Sequence, residues 1–191
     1  YLSSAKANSN DIKVDKIWYS FPVGEQNTVF VGPMIENYYM HGTTPSIYKP
    51  VLKAFSLGGN AAAYGASTDT GAGWVYKGNN GLAISSNIVS KGKTTTKVGG
   101  SYIETGILTE ESKTSWATQV GLTKDQWSVS GIVNLKYNDW GDEYYSTATG
   151  DDRNENSTNY GLRAWWRPQE TGTATPEVSF GYDYSVLDGY S

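Results

Sequence analysis

Residues 126–137, QWSVSGIVNLKY, interleave two sets of side chains. Trp127, Val129, Gly131, Val133, Leu135 and Tyr137 form one set; Gln126, Ser128, Ser130, Ile132, Asn134 and Lys136 form the other. Successive side chains of a strand point to opposite faces, so this run reads as a strand with one apolar and one mainly polar face. It is twelve residues long, about twice the usual strand. Its apolar set begins and ends in an aromatic ring.

Seven other runs alternate similarly. The strands are expected at about 12–23, 28–37, 69–77, 81–90, 113–123, 126–137, 158–167 and 176–186, as four hairpins in a single β-region spanning 1–191. Three hairpins close on the short stretches GEQN, GNN and KD, and the fourth on PQETGTAT. GNN followed by Gly81 has the positive-φ chemistry of a tight turn. The hairpins are joined by long segments, 38–68, 91–112 and 138–157, and one short helical turn is expected around Val51 to Phe55. Short turns at one end of a sheet and long loops at the other are the layout of an antiparallel up-and-down transmembrane β-barrel.

Composition fits a β-rich chain. Of 191 residues, 22 are Gly, 15 Tyr and 7 Trp, while only 18% are charged. A net charge of -4 and a pI near 5.0 give no support to nucleic-acid binding. There is no Cys, hence no disulfide or thiolate metal site. No apolar run approaches the ~18 residues of a helical span, which leaves a barrel open. The chain opens at Tyr1 without a leader, so either a signal peptide has been removed or the chain is part of a longer one.

Alternation alone does not separate a soluble sandwich, whose polar face meets bulk water, from a barrel, whose apolar face meets lipid. The aromatic positions favour the barrel. Tyr19, Phe21, Trp74, Tyr76, Trp127 and Trp166 fall near the short turns, and Trp116, Tyr137, Tyr160 and Tyr184 toward the long loops. Two aromatic rows around an aliphatic middle are the girdles of a membrane barrel. On that reading Lys16, Glu36, Lys77, Asn87, Gln119, Asn134, Lys136, Arg163, Arg167 and Asp183 line the lumen, and the cations bias conductance toward anions or pair with opposite carboxylates. The longest segment, 38–68, carries Tyr38, Tyr39, Tyr48, Lys49 and Lys53 and is expected to fold inward as a constriction loop. The small residues of GAG, 71–73, leave room for it against the wall.

KIWYSFPVGEQNTVFVGPM (16–34), TPSIYKPVL (44–52), GAGWVYKGNNGLAISSNIVS (71–90) and GLRAWWRPQETGTATPEVSFGYDYS (161–185) together resemble, in order, stretches of cyanobacterial outer-membrane porins. These are related to the carbohydrate-selective (OprB-type) porins and are often discussed as iron-uptake porins. The likeness covers most of 12–186 and is weakest at 91–112 and 138–157. It implies a barrel of about sixteen strands, of which about eight are here, with a periplasmic anchor domain and a coiled-coil segment that this sequence lacks. The chain stops at LDGYS, without the terminal aromatic expected of such a barrel, and both ends fall on the long-loop side. It therefore reads as an internal piece of a larger barrel. The resemblance also implies a cyanobacterial outer-membrane location, passive diffusion of small hydrophilic solutes and ions, and contact with outer-membrane lipid. Homotrimers are common among porins, though no trimer surface is legible here.

Other chemistry is thin. His41 is the only His and has no Gly-x-Ser-x-Gly partner, so a surface role outweighs a catalytic one. Asp139, Asp142, Glu143, Asp151, Asp152 and Glu155, offset by Arg153, make an acidic loop 139–155. It reads as a solvated loop, with weak divalent-cation attraction as the sharper alternative, since the spacing of a dedicated calcium loop is absent. Asn156-Ser157-Thr158 fits a glycosylation pattern that recurs by chance. The expected function is a porin, without enzymatic activity, cofactor or metal. The alternatives are a secreted soluble β-sandwich that binds carbohydrate and, behind it, a barrel enzyme using the acidic loop.

Overall fold

Short turns fold the alternating runs into antiparallel hairpins, and the hairpins join edge to edge. The computed structural model describes residues 14–44, 61–65, 67–92, 97–98, 101–102, 112–137, 156–168 and 177–187. The strands are β1 (Ile17–Val23), β2 (Asn27–Glu36), β3 (Thr68–Lys77), β4 (Leu82–Gly92), β5 (Lys97–Val98), β6 (Ser101–Tyr102), β7 (Ser112–Thr123), β8 (Trp127–Tyr137), β9 (Ser157–Trp166) and β10 (Val178–Leu187). Eight of them form one antiparallel up-and-down sheet, in the order β1-β2-β3-β4-β7-β8-β9-β10. Among the described residues β5 and β6 pair with each other alone, inside a segment expected to be a plain loop. Among the described residues, β1 and β10 each pair on one side alone. The helical turn expected around Val51 to Phe55, the residues Tyr48, Lys49 and Lys53, and the acidic loop 139–155 lie outside the described residues. Among the described residues a four-residue helix, α1, spans Ala61–Tyr64, and a 3-10 turn spans Asn37–Met40.

The two faces of the sheet differ: one exposes apolar side chains and the other buries mainly polar ones. In β8, Val129 and Val133 are 46% and 38% exposed, whereas Ser128, Ser130, Asn134 and Lys136 are buried. β7 repeats this: Trp116, Thr118 and Val120 are exposed, while Ser115, Ala117 and Gln119 are buried. β9 follows, with Tyr160, Leu162 and Trp166 exposed and Ser157, Asn159 and Arg163 buried. Polar atoms on the outward face are matched locally. The Trp116 indole donates to Ser86 Oγ at 3.0 Å, Ser86 and Thr118 hydroxyls lie 3.1 Å apart, and the Trp74 indole donates to Asn27 Oδ1 at 2.9 Å.

Strict alternation would put Ile35 on the outward face with Val29, Val31 and Pro33. The register of β2 shifts against β3 between Gly32 and Ile35, and that of β1 against β2 between Ile17 and Tyr19. A bulge inserts a residue and inverts the faces beyond it. Ile35 accordingly turns inward, fully buried, and packs with Met40, Val89 and Phe30.

The tight turns fix the sheet at its other end. Gly81 has φ +88°, and a Cβ there would lie 2.1 Å from the carbonyl oxygen of Thr123, which belongs to the next hairpin. Gly24 also has positive φ, +69°, but nothing lies within 4 Å of its missing Cβ. Both substitutions carry the left-handed backbone cost of about 1–2 kcal/mol; only Gly81 adds a clash. Gly81→Ala should therefore destabilise the chain clearly more than Gly24→Ala, by roughly 1 kcal/mol or more, in an unfolding titration. Equal losses would contradict this account of the turn.

Candidate functional site: a segment seated on the polar face

A polar sheet face that is buried needs a partner for each donor and acceptor. The chain between β2 and β3 supplies many of them. The 3-10 turn packs against β2, β3 and β4, and α1 packs against β8, β9 and β10. The described parts of this segment, Asn37–Thr44 and Ala61–Gly65, thus reach across the inner face from one side of the sheet to the other.

Side-chain amides of the wall hold it. Asn37 Nδ2 donates to Asn87 Oδ1 at 2.6 Å, and Asn87 Nδ2 donates back to the Asn37 carbonyl at 3.3 Å. Thr43 N–H donates to Gln119 Oε1 at 3.0 Å, and Gln119 Nε2 returns to the Thr43 carbonyl at 3.4 Å. Asn134 Nδ2 donates to the Ala62 carbonyl at 2.9 Å and its oxygen accepts from Ser115 Oγ at 2.8 Å. Asn159 in turn donates to the Asn134 carbonyl at 3.2 Å. Within the segment, the Tyr64 hydroxyl donates to the Thr43 carbonyl at 2.9 Å. Burial raises the pKa of this phenol, which keeps it a donor.

Space for the segment comes from glycines. A Cβ on Gly73 would lie 2.7 Å from Met40 Sδ, one on Gly121 2.5 Å from Thr43 Cγ2, and one on Gly161 3.1 Å from Ala63 Cβ. Of the small residues at 71–73, Gly73 admits the segment, whereas Gly71 meets Ile35 and Val89 and Ala72 is exposed. Two apolar contacts finish the seat: Ala63 and Tyr64 against Ala117 and Ile132, and Met40 against Ile35 and Val89.

One ion pair lies beside it. Arg163, 1% exposed, places Nη1 2.7 Å from Asp183 Oδ1, and its guanidinium stands 5.7 Å from the centre of the Tyr64 ring. At the opposite edge, Lys16 Nζ lies 3.0 Å from Glu36 Oε1 and 5.4 Å from the centre of the Tyr39 ring, which stacks on Trp18 at 5.0 Å.

Of the residues expected to line a lumen, Asn87, Gln119, Asn134 and Arg163 are nearly fully buried on the inner face and meet the segment or its ring. Asp183 joins Arg163, and Lys136 is buried. Glu36 is buried at the β1–β2 seam with Lys16, where the bulges break the alternation. Lys77 is exposed at the end of β3. Arg167 reaches the Asp125 carbonyl at the neighbouring short turn, at 3.1 Å. Tyr38 packs against the α1 cluster and Tyr39 against Trp18.

The expected girdle residues Tyr19, Trp74, Trp116, Trp127, Tyr160, Trp166 and Tyr184 are exposed; Tyr76 and Tyr137 are half-buried. Pairing puts Trp127 opposite Trp166. It also puts Trp74, by way of Ser86, Thr118 and Val133, on one line with Tyr160 and Tyr184. Those residues separate into two levels only with strands tilted as in barrels, at about 35–45°.

Sequence reading did not single out Asn37, Met40, Thr43 or Tyr64, the residues that seat the segment. The AAAY run before Gly65 was the available signal: small residues that allow close backbone approach, then one ring. Comparison of the chain with protein-family models, with curated proteins and with solved structures finds no match.

Removing one member of a buried pair strands the other charge. Arg163→Met should cost about 3–5 kcal/mol, and Arg163→Met with Asp183→Leu should recover most of it, measured by thermal unfolding. Gly121→Val should unseat the segment while the sheet persists, seen as new chymotryptic cleavage at Tyr38, Tyr39 or Tyr64 with unchanged β circular dichroism.

Proposed function

We propose that this chain is the wall and constriction of an outer-membrane pore, through which small hydrophilic solutes and inorganic ions diffuse passively. The observation that carries the reading is the inverted burial: Val129 and Val133 exposed beside Asn134 at 0% and Gln119 at 1%. An outward apolar face suits hydrocarbon, and an inward polar face suits an enclosed wet space. The local pairing of Ser86, Thr118 and the Trp116 indole suits a solvent that offers no hydrogen bonds. A soluble carbohydrate-binding sandwich would need a second sheet over the apolar face, and nothing packs there among the described residues.

The seated segment bears on pore size. An eight-stranded barrel has an interior just wide enough for side chains. Here the backbone of a 3-10 turn and a helix lies on the inner face, which favours an arc of a wider barrel over self-closure of eight strands. Unpaired edges are not tolerated in lipid, so β1 and β10 take further antiparallel strands. A total near sixteen, a cyanobacterial outer membrane and a trimeric assembly are what the resemblance adds. The described parts of the segment, 37–44 with Tyr38 and Tyr39 and 61–65, form the constriction, and wall charge tunes which ions pass.

The protein should require detergent for extraction and should produce stepwise conductance in a planar bilayer. Deleting residues 40–60 should raise the single-channel conductance severalfold. A chain that is monodisperse in plain buffer and silent in bilayers would overturn the porin reading; unchanged conductance after the deletion would overturn the constriction.

A further inference from the structure

His41 is the only histidine of the chain, and it sits in the segment rather than in the wall. Its Nε2 lies 2.8 Å from the Tyr64 carbonyl and its Nδ1 lies 3.3 Å from Asn87 Nδ2. A carbonyl only accepts and an amide nitrogen only donates. The ring is therefore neutral, with its proton on Nε2. It packs edge-on against the Tyr64 ring at 4.7 Å. One hydrogen-bonded chain then runs from Asn37 to Asn87 to His41 to Tyr64, joining the 3-10 turn, β4 and α1.

We propose that His41 is an acid-sensitive latch: neutral, it clamps the 3-10 turn and α1 together against β4, and on gaining a proton at Nδ1 it releases the segment from the wall. The inference rests on the reading of this segment as the pore's constriction. The geometry gives the cause. An Nδ1–H would face the Asn87 amide donor. Turning that amide over would give the imidazolium an acceptor but would present a donor to Asn37 Nδ2. Turning both amides over would sacrifice the bonds from Asn87 to the Asn37 carbonyl and from Asn37 to the Ser115 carbonyl. Each arrangement loosens the seat.

Among the described residues, the groups that face the ring leave the new charge uncompensated. From α1 the ring meets Tyr64, and from β4 it meets Asn87. From β7, Gln119 binds Thr43 two residues on. The cation on β9, Arg163, already lies over Tyr64 and is held by Asp183 of β10. Among the described residues no carboxylate pairs with the imidazole. Burial pushes its pKa down from 6.5 to about 4. The seated state therefore keeps its full advantage above pH 6.5 and loses it as pH falls toward 4. By pH 5 the released-to-seated ratio of this half-buried imidazole rises severalfold.

The absence of cysteine allows two clean labels. Nitroxides on Thr44→Cys, in the segment, and Asp125→Cys, at a short turn, report their separation by pulsed electron resonance in the full reconstituted chain. On going from pH 7.5 to 5 the distance distribution should broaden and shift reversibly, and His41→Gln should abolish the change. The single imidazole's NMR titration, read on the unsubstituted chain, should have its midpoint between 4 and 6.5 and follow the distance change. An unmoved distribution at pH 5, or an equal shift in His41→Gln, would overturn the latch. Conductance recorded alongside separates the two readings. Current that is steady across pH with no movement retains the pore and removes the latch, and movement without current at any pH retains the latch and removes the pore.

Discussion

The fold depends on the satisfaction of a buried polar face. Asn87, Gln119, Asn134 and Asn159 are amides with almost no solvent access, and each would cost several kcal/mol unpaired. Backbone carbonyls and amides of the seated segment, together with neighbouring wall groups, meet them. The same bonds that make an inward polar face tolerable also fix where the segment between β2 and β3 lies. Sheet and segment are thus interdependent: neither the amide rows nor the path of the segment is explained without the other.

The complementary constraint falls on the outward face. Exposed Val, Leu, Trp and Tyr on consecutive strands make a continuous apolar surface, far larger than scattered surface hydrophobics. Water would penalise it, and burial against a second sheet would remove the penalty only by adding a layer. On the proposed reading, contact with acyl chains resolves it without one, and a solvent without hydrogen bonds suits outward hydroxyls and indole N–H groups that pair with one another. The steric signature of the inner face differs in kind: Gly73, Gly121 and Gly161 mark where side chains of the segment, Met40, Thr43 and Ala63, press against the backbone of the wall.

Much of this was legible in residue order. Period-two alternation located the eight long strands and their antiparallel hairpin order, because a face that must be uniformly apolar writes itself into every second residue. The exposed-apolar, buried-polar assignment was not decidable from alternation, which is the same for a sandwich. The bulge was legible only as a hint: one extra residue near Gly32 sent Ile35 inward, and Gly32-Pro33, residue types that mark bulges inside strands, was its trace. The seat was legible in part. Wall amides such as Asn134 stood out as polar residues in a strand, whereas Thr43 and Tyr64 act through main-chain carbonyls and long-range approach, which leave no periodic trace. His41 looked like a surface residue because its two partners are 23 and 46 positions away.

The central claim is that the apolar face touches hydrocarbon while the polar face is enclosed. A nitroxide scan along residues 128–135 of β8, in lipid vesicles, tests it most directly through collision with oxygen, which partitions into acyl chains, and with a nickel complex, which stays in water. The account requires a two-residue period, with high oxygen access and low nickel access at 129, 131, 133 and 135. Nickel access at those positions equal to that of a water-exposed site, or oxygen access without a period, would contradict it.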